Sequence, residues 1–165
     1  MKKKEDTIHK DNEYSTLPLA SEIIRQFNHS DDFVRRNMAI EGREVIVFFL
    51  EPLIDKEKLN DLLSKLTSCI SKEKDKESFI EFQQERDPEN AKQLLLEGNS
   101  LAVMDGMDGF LVLENALSIS RSSDEPSNER VIRGSHDGFV ESISKNVNIL
   151  RERVQNSDLT IKYKT

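Results

Sequence analysis

Six apolar residues in a row, Val45-Ile46-Val47-Phe48-Phe49-Leu50, form the longest uninterrupted apolar run in the chain. A strand with one wet face alternates polar and apolar residues, whereas an unbroken run of this kind belongs to a strand covered on both faces. The chain must therefore supply apolar elements above and below one central strand. The same run excludes a membrane crossing within these residues, because a spanning helix needs about twenty apolar residues. Phe33 to Ile40 and Glu44 to Leu50 flank Glu41-Gly42, which predicts a β-hairpin, and Pro52 stops its second strand.

The covering elements are legible in the spacing. Leu19, Ile23, Ile24 and Phe27 keep a helical period that ends near Asn28-His29-Ser30. Asp55 is the predicted cap of a helix whose Leu59, Leu62, Leu63, Leu66 and Ile70 form one stripe. Asp87-Pro88 opens a further helix, with proline at its first position, and Gly98 closes it. A second hairpin joins Leu101 to Met104 with Phe110 to Leu113 through Asp105-Gly106-Met107-Asp108-Gly109. Helices and strands mixed in this order predict a layered α/β (α+β) sandwich.

Charge divides the chain. Residues 1–120 hold 16 basic and 24 acidic groups, while residues 121–165 hold 8 and 7. The change falls in a polar stretch rich in serine. The expected organisation is a disordered arm (1–16), a first subdomain (17–117), a linker (118–128) and the start of a second subdomain (129–165). In that last part, Arg130 to Arg133 reads as a short strand. Phe139, Ile143, Val147, Leu150 and Val154 share one predicted helix face, and Leu159, Ile161 and Tyr163 alternate as in a half-wet strand. A unit below about 40 residues seldom folds alone, and two strands leave an open sheet edge. Either residues 129–165 pack on the first unit or they begin something longer, and the second is the favoured expectation.

The chemistry-bearing residues do not assemble into a catalytic motif. Ser135, His136 and Asp137 are adjacent, and adjacent side chains diverge too far for a hydrolase relay. Gly134 and Gly138 are instead read as permitting a tight turn, with Ser135 or Asp137 capping the helix that follows. Asp105 to Gly109 is too short for a calcium loop and is read as a hairpin turn. His9, His29 and His136 have no metal-ligand spacing, and Cys69, the single cysteine, excludes an internal disulfide. No phosphate loop or dinucleotide fingerprint is present, so no enzyme activity, cofactor or metal is expected. With 24 basic against 31 acidic residues, nucleic acid is not an expected partner. The basic N-terminus, Met1 to Lys4, is followed by no apolar stretch and is not read as a secretory signal.

One pattern spans the second unit: Glu129-x-x-x-Arg133-Gly134-x-x-x-Gly138-Phe139-x-Glu141, then Asn146 and Arg151-x-Arg153. It resembles the A subunits of spore germinant receptors, the GerA family of spore germination proteins. The stretch from Asp32 to Leu66 is similar to the same family, and the resemblance covers residues 17–165. It implies the non-enzymatic N-terminal domain of a larger membrane protein, built from two small α/β subdomains. It also implies B and C receptor subunits and further A subunits as partners, and a place at the cytoplasmic face of the spore inner membrane. The membrane would be reached only through later segments or those partners, and this stretch alone would be soluble and cytoplasmic. The motif residues are expected to be structural or to lie at an interface, with Glu129 or Glu141 pairing with Arg133. Two other readings remain open: a stand-alone module that binds a small nutrient or anion, and a truncated receptor remnant without function.

Overall fold

The computed structural model describes residues 18–71, 81–117 and 142–164. In chain order these hold helix α1 (Pro18–Phe27), strands β1 (Phe33–Ile40) and β2 (Arg43–Leu50), and a short 3-10 turn (Glu51–Leu53). Helix α2 (Lys56–Ser71), strand β3 (Gln83–Glu85) and helix α3 (Pro88–Leu96) follow. Strands β4 (Ser100–Met104) and β5 (Phe110–Leu113) and helix α4 (Ile143–Arg153) complete them. The strands form one antiparallel sheet in the order β1-β2-β4-β5-β3, an α+β arrangement.

The apolar run acts as its composition demands. Ile46, Phe48 and Leu50 point to one face of β2, where α1 packs through Ile23 and Phe27 and α3 through Ala91 and Leu95. Val45, Val47 and Phe49 point to the other face, against Leu59, Leu63, Leu66 and Ile70 of α2. β4 and β5 repeat the alternation, so the sheet lies between two helical layers. Phe33 stacks between Phe27 and Phe48, with ring centroids 5.5 and 5.8 Å away, and joins α1 to the sheet.

Local chemistry sets the element ends. Glu41 and Gly42 both have positive φ (50° and 76°), which makes the two-residue hairpin turn whose twist matches the flanking strands. Asp55 accepts hydrogen bonds from the backbone N–H groups of Glu57 and Lys58, both at 3.0 Å, and so caps α2. Asp87 accepts from Glu89 N–H at 3.0 Å and caps α3 ahead of Pro88. At the other end of α3, Gly98 N–H donates to Leu95 C=O and Asn99 N–H to Leu94 C=O, with Gly98 at φ +91°.

The structure departs from the sequence reading in three places. α4 starts at Ile143, after its cap Ser142, and buries Val147, Asn148 and Arg151. Ile143 is 67% exposed and Val154 42%, so the packed face keeps Val147 of the predicted stripe but leaves its two ends out and takes in Asn148 and Arg151. The packed face is set by polar partners in the α1–β1 loop and the turn after β2, which an apolar period does not register. Leu159 to Tyr163 forms no strand, because its backbone groups bond to the α1–β1 loop rather than to a sheet edge. β3, the sequence Gln-Gln-Glu, has no apolar signal and joins the sheet beside β5 as an edge. The expected arm, the linker and the Arg130–Arg133 strand lie outside the described residues.

Candidate functional site

The loop from Asn28 to Asp32 connects α1 to the edge strand β1, and its side chains meet α4 from more than a hundred residues further along the chain. Arg151, on the inner face of α4, is fully buried, and so is Asp32. Arg151 Nε donates to Asp32 Oδ2 at 2.8 Å and Nη2 donates to Oδ1 at 2.9 Å, a two-point pairing of guanidinium and carboxylate. Ser30, also buried, donates its hydroxyl to Asp32 Oδ1 at 2.5 Å and accepts from Arg151 Nη2 at 2.8 Å. Its oxygen further accepts from the Ile161 N–H at 2.8 Å. Arg151 Nη1 is buried with no hydrogen-bond partner among the described residues.

A second contact fixes the rotation of α4. Asn148 Nδ2 donates to Pro52 C=O at 2.9 Å, in the turn that follows β2. One helix face thus grips both ends of the β1–β2 hairpin's outer corner, since Phe33 and Leu50 are partners in register. Tyr163 lies close enough to feel this cluster. Its phenol is pushed above the ordinary tyrosine value, first by partial burial and then by the carboxylates of Asp32, Glu51 and Asp31, which outweigh Arg151.

This arrangement is suited to holding elements together. The Ser30 hydroxyl spends its proton on Asp32, and the acid is neutralised by Arg151, so neither is poised as nucleophile or base. Among the described residues no group of three or more His, Cys, Asp or Glu side chains stands close enough to hold a metal. A cleft of about 280 Å³ opens between Lys58, Gln83, Leu94, Asn99 and Glu114. It is at the small end of ligand sites, which run to roughly 300–1,000 Å³.

Of the residues singled out by the sequence pattern, Glu129, Arg133, Gly134, Gly138, Phe139 and Glu141 lie outside the described residues. Asn146 is half-buried on α4, where its N–H donates to Ser142 C=O, and Arg153 is exposed in the last turn. Arg151 enters the buried cluster. Ser30, Asp32 and Asn148 were not singled out. The one local signal was the pair Asp31-Asp32 directly before an apolar strand, which single-sequence reasoning takes as a solvated turn.

Comparison with known proteins bears on what this architecture is for. Stage V sporulation protein AF of Bacillus subtilis (strain 168) is 26% identical over 137 residues, covering 77% of this chain and 28% of that protein. Spore germination protein XA of Bacillus anthracis is 32% identical over 113 residues, 67% of this chain and 23% of its own length. The chain thus spans about a quarter of the length of these curated relatives. Its fold matches the crystal structure of the N-terminal domain of the A subunit of the Bacillus megaterium spore germinant receptor GerK3. The TM-score is 0.59 at 17% identity, with 86% of this chain and 55% of that one covered. The model of the Bacillus/Clostridium GerA spore germination proteins matches residues 21–165, and the chain belongs to that family.

Proposed function

We propose that this chain is the N-terminal, non-enzymatic region of a spore germinant receptor A subunit, taking part in receptor assembly and in passing a nutrient signal. In this reading B and C subunits and further A subunits are its partners, and it works at the cytoplasmic face of the spore inner membrane. The motif residues Glu129, Arg133, Gly134, Gly138, Phe139, Glu141, Asn146, Arg151 and Arg153 then serve structure or subunit contact. Family membership supports the setting. No helix of the described residues is long and apolar enough to cross a membrane, so membrane attachment belongs to other segments or to partners.

The observation that carries this reading is the buried Arg151–Asp32 bridge. A signalling part must hold its elements in one relative orientation, or a displacement at one end dissipates before it reaches the other. A buried ion pair is a poor source of net stability but a strict one of geometry, since any other pairing leaves a charge dry. Here it fixes α4 to the head of β1. The test is made in spores carrying the whole subunit. Arg151→Met and Asp32→Asn should reduce nutrient-triggered germination by tenfold or more while the subunit still reaches the membrane fraction. Germination forced without nutrient should be unchanged. A full nutrient response in both variants would overturn the proposal.

A further inference from the structure

Residues 157–164 run as an extended strap over the α1–β1 loop, and nearly all of their grip is polar. Asp31 N–H donates to Ile161 C=O at 2.8 Å, Ile161 N–H to Ser30 Oγ at 2.8 Å, and Tyr163 N–H to Asp31 Oδ2 at 2.9 Å. Gln26 Nε2 holds the near end through Ser157 Oγ and Asp158 Oδ1, both at 3.1 Å. Lys162 pairs with Asp31 at 3.1 Å in a largely exposed contact, which contributes little. Ile161 is the only strap side chain that is buried.

The strap and the bridge share one atom. Ser30 Oγ donates to Asp32 and accepts from both Arg151 and Ile161, so the strap's central hydrogen bond completes the shell around the ion pair. With the strap in place, Arg151 and Asp32 have no solvent exposure. We propose that residues 157–164 are a detachable strap whose docking sets the strength of the Arg151–Asp32 bridge, so that releasing the strap loosens α4 from the sheet. When Ile161 leaves, the Ser30 oxygen is open to water. Attraction between the charges falls in proportion to the local dielectric, about fourfold between an effective value of ~20 and bulk water. Separating the pair then no longer strands either charge dry. Linkage makes the effect reciprocal: loosening α4 weakens the strap by the same factor. The raised Tyr163 phenol agrees with this placement, since it registers both Asp32 and Arg151. The coupling rests on packing within this chain, independently of the germination reading.

Hydrogen–deuterium exchange on the full chain tests it. Ile161→Ala removes the one buried anchor. It should speed exchange at the amides of Asp31, Ile161 and Tyr163 by tenfold or more, and at Val147 to Arg151 by a similar factor. Gln26→Ala, which frees the near end without touching the core, should move the same two groups in the same direction by a smaller factor. It decides the matter if Ile161→Ala fails to fold. In an Arg151→Met background, Ile161→Ala should leave α4 exchange unaltered. Faster strap exchange with α4 at its wild-type rate would overturn the proposal, and so would a further acceleration of α4 once Arg151 is gone.

Discussion

Arg151 carries a full charge with no access to water, and among the described residues it is compensated by the carboxylate of Asp32 and the hydroxyl of Ser30. Removing one partner of such a pair strands the other, which costs about 3–5 kcal/mol, whereas removing both costs far less. Arg151→Met alone should therefore lower the unfolding free energy by about that amount in chemical denaturation at neutral pH. Adding Asp32→Leu should restore more than half of the loss. Equal losses in the single and double variants would mean that α4 is held by something other than this pair. Tyr163 offers a spectroscopic handle on the same spot, because its native phenol value is raised above about 10. The folded state then holds the proton more tightly than the unfolded state. Its contribution to stability is full below about pH 10 and is lost as pH rises through the raised native value. In an ultraviolet titration, the tyrosinate step that disappears in Tyr163→Phe should lie above the ordinary tyrosine value of about 10. A Tyr163 step at or below that value would contradict this placement.

At the scale of elements, Gly98 shows how tightly the layers meet. At φ +91° it closes α3, and a Cβ there would stand 2.7 Å from the backbone oxygen of Leu53. Gly98→Ala meets both a backbone conformation unfavourable to L residues and a clash with main chain, together worth about 1–3 kcal/mol. Its melting midpoint should fall by several degrees, whereas Gly42→Ala, with open space around it, pays only for the positive φ. Similar losses in the two would mean that the Leu53 contact is slack. What the sequence made legible follows from the range of each cause. β2, the two hairpins and the caps at Asp55 and Asp87 have causes within a few residues, and they stand where the pattern put them. β3 has no pattern of its own and exists because β5 offers an edge. The packed face of α4 was hidden because its central residue is an arginine, which reads as solvent-facing until Asp32, far off in sequence, is placed beside it. For the same reason Ser30 and Asp32 could not be picked out, while Arg151 appeared in a motif without its partner.

For the whole molecule, α4 and the strap lie against the α1–β1 loop and the turn after β2, although the polar stretch before α4 reads as a linker. Whether that contact stands without the connecting chain is a quantitative matter. A covalent tether supplies an effective concentration in the millimolar range, so at micromolar protein its loss weakens docking by about 10³-fold, or roughly 4 kcal/mol. Against this stand the buried bridge, the Asn148–Pro52 hydrogen bond and the burial of Val147 and Ile161. A protease site inserted between Ser122 and Ser123 allows the tether to be cut after folding. At about 10 µM the two pieces should still elute together in size-exclusion chromatography, held by the burial of Val147 and Ile161 and by the Asn148–Pro52 hydrogen bond around the matched ion pair. In the Arg151→Met variant the cut pieces should separate, while the uncut chain stays folded. Pieces that part in the unmodified protein would show that the tether holds α4 in place, and the bridge would then be too weak to carry a displacement between α4 and the sheet.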